Sequence, residues 1–144
     1  MTDMRAAIAA ARQSGDINGL VQQIPYLRFL GLQVRLEADG PICSLPADPK
    51  LVGDARLPAL HGGVVGALLE STAIVHLIWS NEDESLPRII DLSVDYLRSA
   101  RLAPIHARGI ITRLGRRVAN VRAEAWQDDP AKPVAAAHAH FLLS

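Results

Sequence analysis

Between Leu57 and Asn81 the chain carries no lysine or arginine and a single acid, Glu70. Within that run, Gly63 to Trp79 has the length of a helix of about four to five turns. Val64, Val65, Ala67, Leu68, Leu69, Ala73, Ile74, Val75, Leu77 and Ile78 leave it no broad polar side. A helix apolar on nearly every face is enclosed by other structure. Lipid is one such enclosure, but a carboxylate at the bilayer centre costs about 3 kcal/mol on insertion scales. The flanks also lack basic anchors, so the run reads as the central helix of a soluble domain.

The flanking segments change period. Ile90, Leu92, Val94 and Tyr96 alternate with Asp91, Ser93 and Asp95, the two-residue repeat of a half-buried strand. Ile105 to Leu114, Val118 to Trp126 and Val134 to Leu143 are further strand candidates, joined by turns at Gly115-Arg116 and Asp128 to Pro133. The acidic run Asn81-Glu82-Asp83-Glu84 separates the helix from the first of them. Upstream, Thr2 to Ser14 is predicted helical, with Gly15 as its stop. Asp16 to Ile24 forms a second short helix, capped by Asp16 and ended by Pro25. Leu30 to Leu36 and Ile42 to Leu45 are strands around the turn Asp39-Gly40-Pro41, and Pro46 to Pro58 is a loop. The order is two strands, one long helix, then four strands. An α+β fold satisfies it, with a curved antiparallel sheet wrapped around one central helix. Residues 1–28 form an N-terminal helical extension and 29–144 a single domain.

Bulk properties narrow the function. The 15 Lys and Arg residues balance the 15 Asp and Glu residues, so no net field draws the chain to nucleic acid or an acidic membrane. The one cysteine, Cys43, lies in an apolar strand-like run and reads as a core residue, which excludes a disulfide framework or a multi-cysteine zinc site. His138 and His140 share a strand face without a third ligand at matching spacing, so no metal is expected. No long apolar stretch follows the N-terminal residues, which makes the cytoplasm the expected location.

Chemistry concentrates at the central helix. Burying a lone carboxylate is costly unless it is paired or used. Glu70 either finds a partner across the fold (Arg98, Arg108 or a histidine) or performs a reaction. Just ahead of the helix stands Leu60-His61-Gly62-Gly63. Paired glycines admit close backbone approach, and the first N–H groups of a helix have no intrahelical partner. The helix dipole adds positive potential there, a site suited to an oxyanion or polarised carbonyl. Gly62 and Glu70 are eight residues apart, about 12 Å at 1.5 Å per residue. One carbonyl carbon cannot meet both from the same helix, so joint action requires a second subunit.

Leu60-His61-Gly62-Gly63 with Glu70, the later Asp91-Leu92-Ser93-Val94-Asp95-Tyr96-Leu97-Arg98 and the Gly115-Arg116-Arg117 turn together resemble the PaaI-like branch of the hotdog thioesterase superfamily. The resemblance runs from about Leu30 to the C-terminus. It implies a hotdog fold, hydrolysis of acyl-CoA thioesters without a cofactor, and assembly as a dimer or dimer of dimers. Glu70 matches the family's catalytic acid, acting as nucleophile or as base toward water. The Gly62 N–H would polarise the carbonyl, helped by Gly63, with His61 in a supporting role. Arg116 and Arg117, with Arg113, match where the nucleotide phosphates of CoA are bound. Ala55 and Ile89 depart from the pattern, standing where relatives often carry an amide and a hydroxyl. Strand alternation places Asp91 on the same face as Ile89, where it would supply a substrate contact. The rival expectation is a non-catalytic acyl-CoA-binding protein. A hotdog dehydratase would need a histidine–acid pair in motifs not found here.

Overall fold

The computed structural model describes residues 3–82 and 85–143. Thr2, the expected first residue of the N-terminal helix, and Asp83 and Glu84 of the acidic run lie outside them. Helix α1 spans Met4–Ser14, with the Asp3 carboxylate accepting from the Arg5 and Ala6 N–H groups and Gly15 closing it at φ 79°. Helices α2 (Ile17–Val21) and α3 (Pro25–Leu30) lead to the hairpin β1 (Gln33–Glu37) and β2 (Gly40–Leu45). A short hairpin, β3 (Val52–Asp54) and β4 (Leu57–Leu60), precedes the long helix α4 (Gly62–Ser80). Strands β5 (Arg88–Tyr96), β6 (Ile105–Leu114), β7 (Val118–Trp126) and β8 (Ala135–Leu142) follow. The long strands and β1–β2 form one six-stranded antiparallel sheet in the order β1-β2-β6-β7-β8-β5. The expected fold class is therefore the observed one, a long helix packed against a large antiparallel sheet.

Alanine makes the packing close. Ala107, Ala119, Ala123, Ala125, Ala137 and Ala139 are buried on the sheet's inner surface, and Leu68, Leu69, Ala73 and Leu77 of α4 are fully buried against it. Small side chains on the strands let the helix backbone approach, and the larger helix side chains fill the remaining space. Where α4 crosses β6, even alanine is too large. A Cβ on Gly109 would lie 3.0 Å from the His76 Cβ, and one on Gly40 (φ 125°) would lie 3.0 Å from its Cε1. The imidazole fills that notch beside Trp79, ring centroids 5.6 Å apart, with Nδ1 buried and unpartnered among the described residues.

Two segments differ from the sequence expectation. Pro25 does not end a helix but begins α3, because its fixed φ suits the first helical position and its missing N–H would be unpaired there anyway. Gly31, at φ 77°, closes α3, so the expected strand from Leu30 starts only at Gln33. The proline-rich stretch 46–58 is not wholly a loop, since it folds through a 3-10 turn at Pro49–Leu51 into the β3–β4 hairpin. Helix α1 also does more than extend the chain. Ile8 and Ala11 join the main core, and the Arg12 Nε donates to the Ile78 carbonyl at 2.9 Å, placing a cation at the C-terminal end of α4.

Burial depresses the His76 pKa from its ordinary 6.5, and burial together with the Arg35 charge does the same to His106. Below that value the unfolded chain takes up protons that the folded chain resists. The contribution of these groups to stability is full above pH 6.5 and declines as pH falls toward the lower folded-state values. Thermal midpoints measured at about pH 7.5 and about pH 5.5 are expected to fall at the lower pH, with His76→Leu reducing the difference.

Candidate active site

The first turn of α4 is held from several directions. His61 is extended (φ −58°, ψ 133°), and its N–H donates to the Leu51 carbonyl at 2.8 Å. Gly53 of β3 makes that approach possible, since a Cβ there would lie 3.1 Å from the His61 Cα. The His61 carbonyl accepts from the N–H groups of Val64 (2.9 Å) and Val65 (3.2 Å). Its Nδ1 accepts from the Gly63 N–H at 2.9 Å, a side-chain cap of the kind usually supplied by serine or aspartate. The Gly63 N–H, expected to help Gly62, is thus engaged by His61. The Gly62 N–H, by contrast, donates to no group among the described residues.

Beside it lies a groove of about 430 Å³, lined by Leu60, Gly62, Val65, Tyr96, Arg98 and Val134 among others. The Tyr96 hydroxyl, at the end of β5, donates to the Gly62 carbonyl at 2.7 Å. Sequence reasoning used Tyr96 only as part of a motif and missed this contact. The available signal was its phase, which puts it on the inner face with Leu92 and Val94.

Glu70 stands outside that groove. Gly63, Ala67, Glu70 and Ile74 recur at helical spacing, and this stripe is the side of α4 the sheet leaves incompletely covered. Glu70 is half-buried rather than enclosed, and has no hydrogen bond or ion pair among the described residues. The expected cross-fold partners are engaged elsewhere. Arg98 Nη1 donates to the Pro133 carbonyl at 2.6 Å, and the Arg108 guanidinium lies 5.4 Å from the Trp126 ring centroid. The uncovered stripe runs beside β5, an edge strand whose outer side has no neighbour in the sheet.

Asp91 does not share the face of Ile89. Ile89 pairs with Phe141 but Asp91 pairs with His140, so Ile90 is an extra, bulged residue that reverses the alternation. Asp91 thus sits on the sheet's outer face, its Oδ1 2.5 Å from the His140 Nδ1, and not on the face of Ile89 as strand alternation suggested. His140 is accordingly engaged by a carboxylate rather than grouped with His138. Arg116 and Arg117 are exposed at the β6–β7 turn, and Arg113 is exposed just before it. None of the three forms an ion pair among the described residues. In the ladder Val118 meets Leu142, which meets Arg88, at the opposite end of β5 from Tyr96. At about 3.3 Å per residue the hairpin tip and the Gly62 groove of one chain are separated by about 26 Å.

The family model of the Thioesterase superfamily matches residues 57–134, from β4 through α4 to the threshold of β8. The medium/long-chain acyl-CoA thioesterase YigI of Salmonella typhimurium is 31% identical over 86% of this chain and 90% of its own length. A protein of Chromobacterium violaceum has a crystal structure that superposes with TM-score 0.77, at 41% identity, covering 95% of this chain and 96% of that one. A Shewanella oneidensis protein related to the thioesterase superfamily also has TM-score 0.77, at 26% identity, with 95% and 97% covered. With the family match spanning more than half of the chain and taking in the whole glycine-led helix that bears Glu70, the chain is a thioester hydrolase belonging to the thioesterase superfamily.

Proposed function

We infer that the chain hydrolyses acyl-CoA thioesters to a free acid and CoA at a site shared between two subunits. The observation that carries this reading is the separation of the Gly62 N–H from Glu70 along one helix, both without a partner among the described residues, with Glu70 on an open stripe beside an edge strand. A second copy pairing along β5 would continue the sheet and lay its own α4 beside the first. In an antiparallel arrangement the Gly62 of one chain would approach the Glu70 of the other. Edge strands are ready templates for such pairing, and a two-fold axis would form two equal sites.

In this reading the carbonyl oxygen takes the Gly62 N–H while negative charge develops on it, aided by the positive end of α4. Glu70 removes a proton from an attacking water, or attacks the carbonyl itself to form an anhydride that water then opens. The C–S bond breaks, CoA leaves as the thiolate and is protonated. Only protein groups and water take part. His61 supports the turn by occupying the Gly63 N–H. Arg113, Arg116 and Arg117 have guanidinium groups that form no ion pair among the described residues and are suited to phosphate, and they reach the substrate from the partner subunit. The names of the YigI relatives make medium- and long-chain acyl-CoA esters the first substrates to assay. Soluble cytoplasmic action fits a CoA ester as substrate.

A second reading, acyl-CoA binding without turnover, draws on three positions. Ala55 lies exposed in the β3–β4 turn, Ile89 offers no hydrogen bond, and the Ile90 bulge turns Asp91 away. Glu70→Gln separates the readings. Thiol release is expected to vanish in the variant with its oligomeric state unchanged, whereas a silent wild type that still binds the ester supports the binder.

Gly62→Pro removes the critical N–H at a helix position proline favours, after a residue already in the extended conformation that proline requires. Mixing inactive Glu70→Gln and Gly62→Pro subunits should restore about a quarter of the wild-type rate, because half the dimers carry one intact shared site. No restoration would place both groups in one chain. Arg116→Ala with Arg117→Ala is expected to raise KM by about tenfold with kcat nearly unchanged, as lost phosphate contacts remove uniform binding.

A further inference from the structure

We propose that Tyr96 is a positioning residue that aims the Gly62 N–H by clamping the peptide that follows it; this rests on the reading of Gly62 as the donor to the thioester carbonyl. The first turn of α4 begins with two glycines, which leave the backbone its greatest freedom where a donor must be fixed. The peptide linking Gly62 to Gly63 is held at both ends. Its carbonyl accepts from the Tyr96 hydroxyl at 2.7 Å, and its N–H donates to the His61 Nδ1 at 2.9 Å. Because a peptide is planar, fixing both groups fixes its plane. The preceding peptide has its carbonyl anchored by Val64 and Val65, so Gly62 is pinned on either side and only its own N–H is left to face the groove.

The aromatic ring contributes separately. A Cβ on Gly62 would lie 3.5 Å from the Tyr96 Oη, and one on Gly66 would lie 3.6 Å from the same atom, so the phenol rests against the glycine side of the helix. Tyr96 ends β5, the strand of the large sheet on the uncovered side of α4, and its hydroxyl ties that strand to the start of the helix. Packing and hydrogen bond are separable, because phenylalanine keeps the first and removes the second. A donor fixed before the reaction needs no reorganisation as charge develops on the carbonyl oxygen.

The test is Tyr96→Phe, read in two ways. In turnover of an acyl-CoA ester, kcat is expected to fall about tenfold and KM to rise by several-fold, because the carbonyl meets the same donor in the ground state and more strongly as charge develops. In binding, two inert analogues are compared, a ketone with methylene in place of the thioester sulphur and a thioether lacking the carbonyl oxygen. Affinity for the ketone should fall by several-fold, while that for the thioether stays within about twofold. Equal loss on both analogues, or no loss on either, overturns the clamp. The analogue comparison does not depend on hydrolysis. Glu70→Gln retaining full turnover would remove the catalytic carboxylate while the ketone-to-thioether ratio still decides the role of Tyr96.

Discussion

Everything in this molecule follows from laying one apolar helix against an alanine-floored sheet. Close approach buries the faces of α4 that carry Leu68, Leu69, Ala73 and Leu77, and hydrophobic burial of this kind is the dominant favourable contribution to folding. The same geometry decides what is left outside. β5 closes the far edge of the sheet, and the stripe through Gly63, Ala67, Glu70 and Ile74 remains incompletely covered. The carboxylate is thereby displayed on a rigid element rather than a loop, at a place one chain does not enclose. Its lack of an intrachain partner among the described residues is a direct product of the packing.

The opposite end of the problem is solved by backbone groups. A helix start has N–H groups to dispose of, and this one assigns them unequally. Gly63 is given to His61, Val64 and Val65 to the His61 carbonyl, and Gly62 to nothing among the described residues. The 3-10 turn and the small β3–β4 hairpin exist within this logic, because Leu51 of the turn and Gly53 of β3 hold His61 in the extended conformation that the cap requires. Elements that look peripheral in the chain order therefore support the geometry of a single donor.

Much of this was legible in the sequence, and the limits have physical causes. The all-round apolar run from Gly63 to Trp79 and the strands at 105–114 and 118–126 announce themselves because burial selects apolar residues along them, on every side of the helix and on alternate positions over much of the strands. Helix α3 was not legible, since Pro25 signals a helix start as readily as an end and only the fold decides. The β3–β4 hairpin was hidden by prolines, which are tolerated on edge strands of so short a sheet. At the site, Glu70 and Gly62 stood out by composition and spacing. The Tyr96 contact joins residues 34 apart in the chain and depends on tertiary geometry that no local pattern encodes. Asp91 was misplaced for a related reason, since alternation was extended through a bulge that leaves no mark in the sequence.

That bulge also governs how the chain tolerates change in length. Ile89 pairs with Phe141 and Asp91 with His140, so the partner strand advances by one residue where β5 advances by two. A chain lacking Ile90 would present an uninterrupted ladder with every remaining side chain on the face it already occupies. Loss of a neighbour such as Leu92 would instead invert part of the strand, exchanging inner and outer side chains on one side of the gap. Within a nine-residue strand, a single position is thus neutral to deletion in register while those around it are not.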